Sequence, residues 1–257
     1  MAADTTEQEP QELVHREVTD GVATITLDSQ HNRNALSQQL VTELFEALHA
    51  CDKAEEVRVV LLQAAGPAFC AGADLSEAAT VGMEEGARQI VRLQRTIVAL
   101  TKPVVVKVQG AVRAGGLGLV AAADIAIAAE SVGFALTEVR LGLAPAAISL
   151  TILPRVERRA AAYAMLTGET FDAAHAAEIG LITRAVPDDR LDDEVAAVIA
   201  SLAKGAPQGL RETKRLLVRD LVQHLDAHGE DMAHLSARLF GSEEARTAMT
   251  AFLSRKK

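Results

Sequence analysis

Two strand-like apolar runs each lead into a glycine-bearing turn. The turns are Phe69-Cys70-Ala71-Gly72-Ala73-Asp74 and Arg113-Ala114-Gly115-Gly116-Leu117-Gly118, and a lone acid, Glu138, lies shortly downstream of the second. Glycine lets a backbone come close to a ligand, or take a positive φ, without a Cβ in the way. Two such turns can aim backbone N–H groups at one oxygen, with the Glu138 carboxylate supplying the chemistry. The position that offers a natural partner carboxylate after the second turn holds Gly118.

The rest of the chain fits an α/β fold. Leu13 to Val18 and Val22 to Leu27 alternate apolar and polar residues around Asp20-Gly21, the dipeptide of a type I′ hairpin. Leu36, Leu40, Val41, Leu44, Phe45 and Leu48 recur at helical spacing and predict an amphipathic helix after Asn34. Val57 to Gln63 reads as a buried strand, about Glu84 to Leu100 as a helix, and Pro103 opens the continuous apolar strand Val104 to Val108. Strand and helix therefore alternate, which points to crossover-connected strands rather than stacked hairpins.

Beyond Glu138, Ala146 to Leu153 and Val156 to Leu166 are helical in pattern, Asp172 caps a further helix that Gly180 ends, and Leu181 to Val186 forms a last strand before Pro187. From Asp188 onward only helical patterns remain. They break at Gly205-Ala206-Pro207, near Gly229 and at Gly241-Ser242, with Ser242 as an N-cap. An alanine-rich tail of this kind buries little by itself and is expected to pack on the core or on another subunit. The sequence thus divides into a lead at 1–10, a core at 11–198 and a helical assembly region at 199–257.

Composition removes several classes of function. With 257 residues, 49% of them hydrophobic, the chain can bury a large core, and a net charge of −9 argues against nucleic acid as a partner. Two cysteines, Cys51 and Cys70, are too few for a disulfide framework and suit free thiols in a reducing, cytoplasmic compartment. Met1 to Pro10 is polar and acidic without an apolar segment, so it reads as a disordered lead rather than a signal. The apolar stretch Leu117 to Ala129 is interrupted by Asp124 and too short to span a bilayer, so no membrane association is expected. The seven histidines show no ligand spacing with cysteine or carboxylate, and no metal is expected.

Gly116-Leu117-Gly118-Leu119-Val120-Ala121 satisfies the dinucleotide pattern G-x-G-x-x-A. That mechanism needs the first glycine directly at the strand end, whereas Gln109 to Gly115 intervene after the Val104 to Val108 strand. A nicotinamide cofactor is therefore set aside, and no cofactor is expected.

Taken together, Arg33-Asn34-Ala35-Leu36, Ala68 to Leu75, Lys102-Pro103-Val104 running to Gly110, Gly115-Gly116 with Asp124-Ile125-Ala126, and Phe134 to Pro145 around Glu138 resemble the crotonase (enoyl-CoA hydratase/isomerase) superfamily. Leu166-Thr167-Gly168 and Ala174 to Leu181 continue the match, which covers Leu13 to Lys257. The resemblance implies a spiral of ββα units with a C-terminal helical region used in trimer formation, as a homotrimer or a dimer of trimers. It implies an acyl-CoA substrate, with the backbone N–H groups of Ala73 and Gly115 as the oxyanion hole. Ala71, Gly72, Asp74, Leu75, Gly116 and Gly118 would then line the substrate site.

Hydratases of the superfamily usually place two glutamates across the double bond. Glu138 matches the proton-delivering one, and the water-activating one maps onto Gly118, so the two-glutamate mechanism is closed to this chain. Three readings stay open. In the first and preferred one, Glu138 alone orients the water and shuttles the proton, as in the subgroup resembling methylglutaconyl-CoA-type hydratases. In the second, Glu138 moves a proton between carbons as an isomerase does. In the third, the chain binds acyl-CoA with little or no catalysis.

Each residue also has a structural alternative. Glu138 could be a buried acid paired with Arg140 or Arg155. Asp74 is expected to cap the next helix and Asp124 to act as a structural hydrogen bonder. Cys70 and Tyr163 read as packing. Arg33 matches a residue that touches the CoA nucleotide in the superfamily, with a solvated arginine as the alternative, and Arg255 and Lys256 match ones near a CoA phosphate. Arg113, two positions before Gly115, is expected to recognise a polar or carboxylated acyl group.

Overall fold

The computed structural model describes residues 11–77 and 83–254. The lead at 1–10 and the terminal Arg255 and Lys256 lie outside the described residues.

In chain order the strands and helices are β1 (Val14–Thr19), β2 (Val22–Leu27), α1 (Gln38–Lys53), β3 (Val59–Ala64), β4 (Ala68–Cys70), α2 (Met83–Ala99), β5 (Val104–Val108), β6 (Ala111–Arg113), α3 (Gly115–Ala122), β7 (Ile125–Ala129) and β8 (Gly133–Ala135). A 3-10 turn, Glu138–Leu141, leads to α4 (Ala146–Ile152), α5 (Arg158–Thr167), β9 (Phe171–Asp172), α6 (Ala173–Glu178), β10 (Arg184–Val186), α7 (Leu191–Ala203), α8 (Pro207–Phe240) and α9 (Glu243–Ser254).

The strands form two sheets. The larger has the order β1-β2-β3-β5-β7-β10 and the smaller β4-β6-β8-β9. The β1–β2 hairpin is antiparallel, and Asp20 and Gly21 at its turn have φ of 51° and 79°, as a type I′ turn requires. From β2 to β10 the larger sheet is parallel. Each of β3, β5 and β7 is followed by a short strand of the smaller sheet, β4, β6 or β8, and these three are parallel neighbours. The chain therefore advances by one place in both sheets at every unit, which is the ββα spiral.

Helix α1 shows how the pattern turns into packing. Leu40, Val41, Leu44 and Leu48 are buried on one face, each burial contributing about 1.5–3 kcal/mol. The helix starts at Gln38, later than the apolar spacing implies, because Ser37 caps it by accepting from Leu40 N at 3.2 Å. Leu36 is consequently left outside the helix and bridges Ala73.

The C-terminal helices correct the sequence reading at one point. Helix α8 runs unbroken for 34 residues, through Gly229. A β-carbon built on Gly229 would lie 2.8 Å from Val91 Cγ1, so this glycine permits close approach of α8 to α2 and is no break. Ion pairs Arg88–Glu230 and Arg95–Asp226 flank that contact. Lys214 of α8, 5% exposed, reaches inward to Asp124 Oδ2 at 2.8 Å and to the carbonyls of Ile97 and Lys102. Asp124 also accepts from Val104 N at 2.7 Å, which is the structural duty expected of it. The tail thus packs on the core of its own chain. The break at Gly205 to Pro207 is present, with Pro207 opening α8, and Ser242 accepts from Ala245 N as the N-cap of α9. No helix of the described residues is long and apolar enough to cross a membrane.

Candidate active site

Three adjacent parallel strands, β4, β6 and β8, deliver the first turn, the second turn and the Glu138 segment to the same C-terminal edge of the smaller sheet. Such edges are where open parallel sheets leave backbone groups unpaired for a ligand. None of the three strands is longer than three residues, too short to show a strand period in the sequence.

The first turn is fastened from below. Ala71 N donates to Arg33 O at 3.1 Å and Gly72 O accepts from Leu36 N at 2.8 Å. Arg33, at φ 60°, holds the segment with its backbone while its side chain is exposed. Asn34 anchors this loop, donating to the carbonyls of Ala65 and Ala68 and accepting from Ser29 N. Asp74 accepts from Ser76 N, Ser76 Oγ and Asn32 Nδ2, so it braces its own turn. Ala73 itself is exposed, and Ala71 and Leu75 are partly so.

The second turn is the start of α3. Its first residue, Gly115, carries one of the amides that a helix N-terminus leaves without an intrahelical acceptor. A β-carbon built on Gly115 would lie 3.6 Å from Gly72 Cα and 3.7 Å from Ala73 N, so the two turns lie close enough that a side chain at 115 would touch the first. Among the described residues neither the Ala73 nor the Gly115 amide has a hydrogen-bond acceptor. Gly116 packs behind them on Cys70, a fully buried thiol pushed up to about 12 by that burial.

Ala114 N donates to Ala135 O at 3.0 Å, and Glu138 follows three residues beyond that anchor. Glu138 keeps some exposure as a residue, but among the described residues its Oε2 is buried and has no hydrogen-bond partner. Burial pushes its carboxyl up to about 7. The pairings that would make it structural are not formed, because Arg140 donates to Thr167 O and Arg155 to Ala123 O. A carboxyl that burial holds near 7, without a salt-bridge partner among the described residues, can both take and give a proton.

Gly118 is placed differently from the other site candidates. It is buried in α3, where a β-carbon would lie 2.6 Å from Ile148 Cγ2 and 3.0 Å from Gln94 Oε1. Gln94 is fully buried, donating to Ile90 O and Ala147 O and accepting from Thr151 Oγ1 at 2.6 Å. The space a first glutamate would enter is thus filled by α2 and α4. The sequence carried one sign of this: Gln94 is the amide in the otherwise apolar spacing Ile90, Leu93, Gln94, Ile97. Arg113 is also not free, since Nη1 donates to Val112 O and Gly133 O, tying β6 to β8. Glu77 accepts from Gln38 N and Ser149 donates to Ala146 O. Tyr163 is 61% exposed and donates to Glu169, so it is not the packing residue expected.

Away from the edge, Glu84, Glu230 and His234 bring ligand atoms within 4.8 Å of one another. Arg88 bonds both glutamates and offsets part of their charge. The histidine spacing carries no sign of this meeting of α2 and α8.

The profile of the enoyl-CoA hydratase/isomerase family matches residues 17–257. A Rhodobacter capsulatus protein named "Probable enoyl-CoA hydratase" is 35% identical over 247 residues, covering 95% of each chain. The "1,2-epoxyphenylacetyl-CoA isomerase" of Escherichia coli is 32% identical over 255 residues, 95% of this chain and 97% of that one. The crystal structure of an enoyl-CoA hydratase from Mycobacterium avium superposes with a TM-score of 0.90 at 46% identity, covering 96% of this chain and 98% of that one.

Proposed function

The chain belongs to the enoyl-CoA hydratase/isomerase family, and on that premise we propose that it adds water across the 2,3 double bond of an enoyl-CoA thioester with Glu138 as its single proton-transfer group. The observation that carries this is the buried, unpartnered Glu138 Oε2 on a carboxyl held near 7. In its ionised form Glu138 takes a proton from water as the water oxygen bonds to C3. The electron pair of the double bond moves onto the thioester oxygen, where the Ala73 and Gly115 N–H groups stabilise it by about 3 kcal/mol per donor. Glu138 then returns the proton to C2, and the balance is one water added. Ala71, Gly72, Leu75 and Gly116 form the wall around the carbonyl, and exposed Arg33 faces the nucleotide.

A second reading, isomerisation, is favoured by the filled space at Gly118. There Glu138 removes a proton from C2 of a 3-enoyl-CoA and delivers it to C4, which needs one carboxylate and no water.

Both readings are tested by incubating the protein with crotonyl-CoA and with a 3-enoyl-CoA and following the conjugated thioester chromophore. Loss with the first is hydration, and gain with the second is isomerisation. Full turnover by Glu138→Gln would remove Glu138 from either. The same reading makes the working form a homotrimer or a dimer of trimers, with the exposed apolar residues Leu216 and Leu217 of α8 facing another copy.

A further inference from the structure

Ala114, at φ 46° and ψ −119°, stands in a backbone region that L side chains rarely adopt. Asp20, Arg33 and Asn34 also have positive φ, but alanine has no polar side chain to bond the local backbone in compensation. The conformation is held from both sides: Ala114 N donates to Ala135 O at 3.0 Å and Ala114 O accepts from Leu117 N at 2.9 Å, closing the first turn of α3. A strain retained at such a place calls for a reason.

The methyl group supplies one. A β-carbon built on Gly72 would lie 2.8 Å from Ala114 Cβ and 3.4 Å from Gly115 N. Ala114 Cβ therefore occupies the gap that a side chain at 72 would fill, between the turn that carries the Ala73 amide and the turn that carries the Gly115 amide. Gly72, at φ 92°, has its own carbonyl tied to Leu36 N, so the first turn cannot follow the second if the gap opens.

The geometry points to Ala114 as a positioning residue whose methyl is the spacer that sets the separation of the Ala73 and Gly115 amides. This rests on the reading of those amides as the oxyanion donors. Glycine at 114 would lift the backbone strain and at the same time remove the spacer, so stability and turnover move in opposite directions. Serine would keep a Cβ against Gly72 and so keep the spacing.

The test uses the full chain, A114G and A114S, with three readouts: Tm, kcat and KM on the 2-enoyl-CoA or 3-enoyl-CoA that is turned over, and the absorbance of bound acetoacetyl-CoA, whose enolate form the two amides would favour. A114G is expected to lose about tenfold in kcat with KM within about twofold, because an amide is displaced and the nucleotide contacts are not. Its Tm is expected to rise by about 2–4 °C, and its enolate band to weaken. A114S is expected to keep kcat within about threefold. A114G at wild-type kcat, A114G with a lowered Tm, or A114S losing as much as A114G overturns the spacer. If the unaltered protein neither turns over an acyl-CoA nor changes the acetoacetyl-CoA spectrum, it is the donor reading that fails.

Discussion

A β-carbon on Gly118 would lie 2.6 Å from Cγ2 of Ile148, closer than side-chain carbons approach in folded proteins. The absent first glutamate is therefore not a vacancy waiting for a carboxylate. Gly118→Glu forces the new side chain into Ile148 and Gln94 and brings a charge into a buried contact. Denaturant unfolding should show a loss of about 2–4 kcal/mol, with no gain in hydration of crotonyl-CoA. A stable G118E protein with raised hydratase activity would show that the slot is open after all.

Thr151 donates to Gln94 Oε1 at 2.6 Å in the knot that joins α2, α3 and α4 beneath Gly118. Thr151→Val keeps the shape and leaves that oxygen buried without a donor, at a cost of about 1–3 kcal/mol. Thr151→Ser keeps the donor and should unfold within about 1 kcal/mol of the parent. Equal loss in both variants would assign the effect to packing of the methyl group instead.

Much of this was legible in the sequence. The Asp20-Gly21 hairpin and the Val104–Val108 strand stand where local pattern puts them, because turn chemistry and a continuous apolar run are signals that need no partner. The two turns and Glu138 were likewise visible as residues. Their convergence was not, because it depends on β4, β6 and β8, which are too short to show a period of two and exist only by pairing with one another. Gly229 illustrates the opposite error, since a glycine in a helical pattern reads as a break unless the facing Val91 is known. Gly118 needed both kinds of information: the missing acid is in the sequence, and the side chains that replaced it come from helices twenty or more residues away.

Leu216 and Leu217 are 75% and 79% exposed on α8, two large apolar residues adjacent in the chain. Exposed leucines side by side are costly to leave in water and are expected to be covered in the assembled protein. The double variant L216E/L217E should move the protein to a smaller mass in light scattering coupled to gel filtration, without loss of helical content. An unchanged mass would take α8 out of the interface.

The raised Glu138 carboxyl makes stability and activity depend on pH in opposite senses. Burial holds it at about 7 in the folded protein against a model-peptide value of 4.5, so between those values the folded state binds a proton that the unfolded chain has released. Stability conferred by the protonated acid is then complete below about 4.5, declines as pH rises through that window and levels off above about 7. The span is on the order of 3 kcal/mol. Glu138→Gln has no proton to lose, so its unfolding free energy, compared with the parent at each pH, should gain steadily from pH 5 to pH 7 and then run parallel. Turnover needs the ionised form in the free enzyme, so kcat/KM should rise with pH along a limb centred near 7. A difference in stability that does not change between pH 5 and 7 would mean that Glu138 is ionised throughout, and the limb in kcat/KM would then belong to another group.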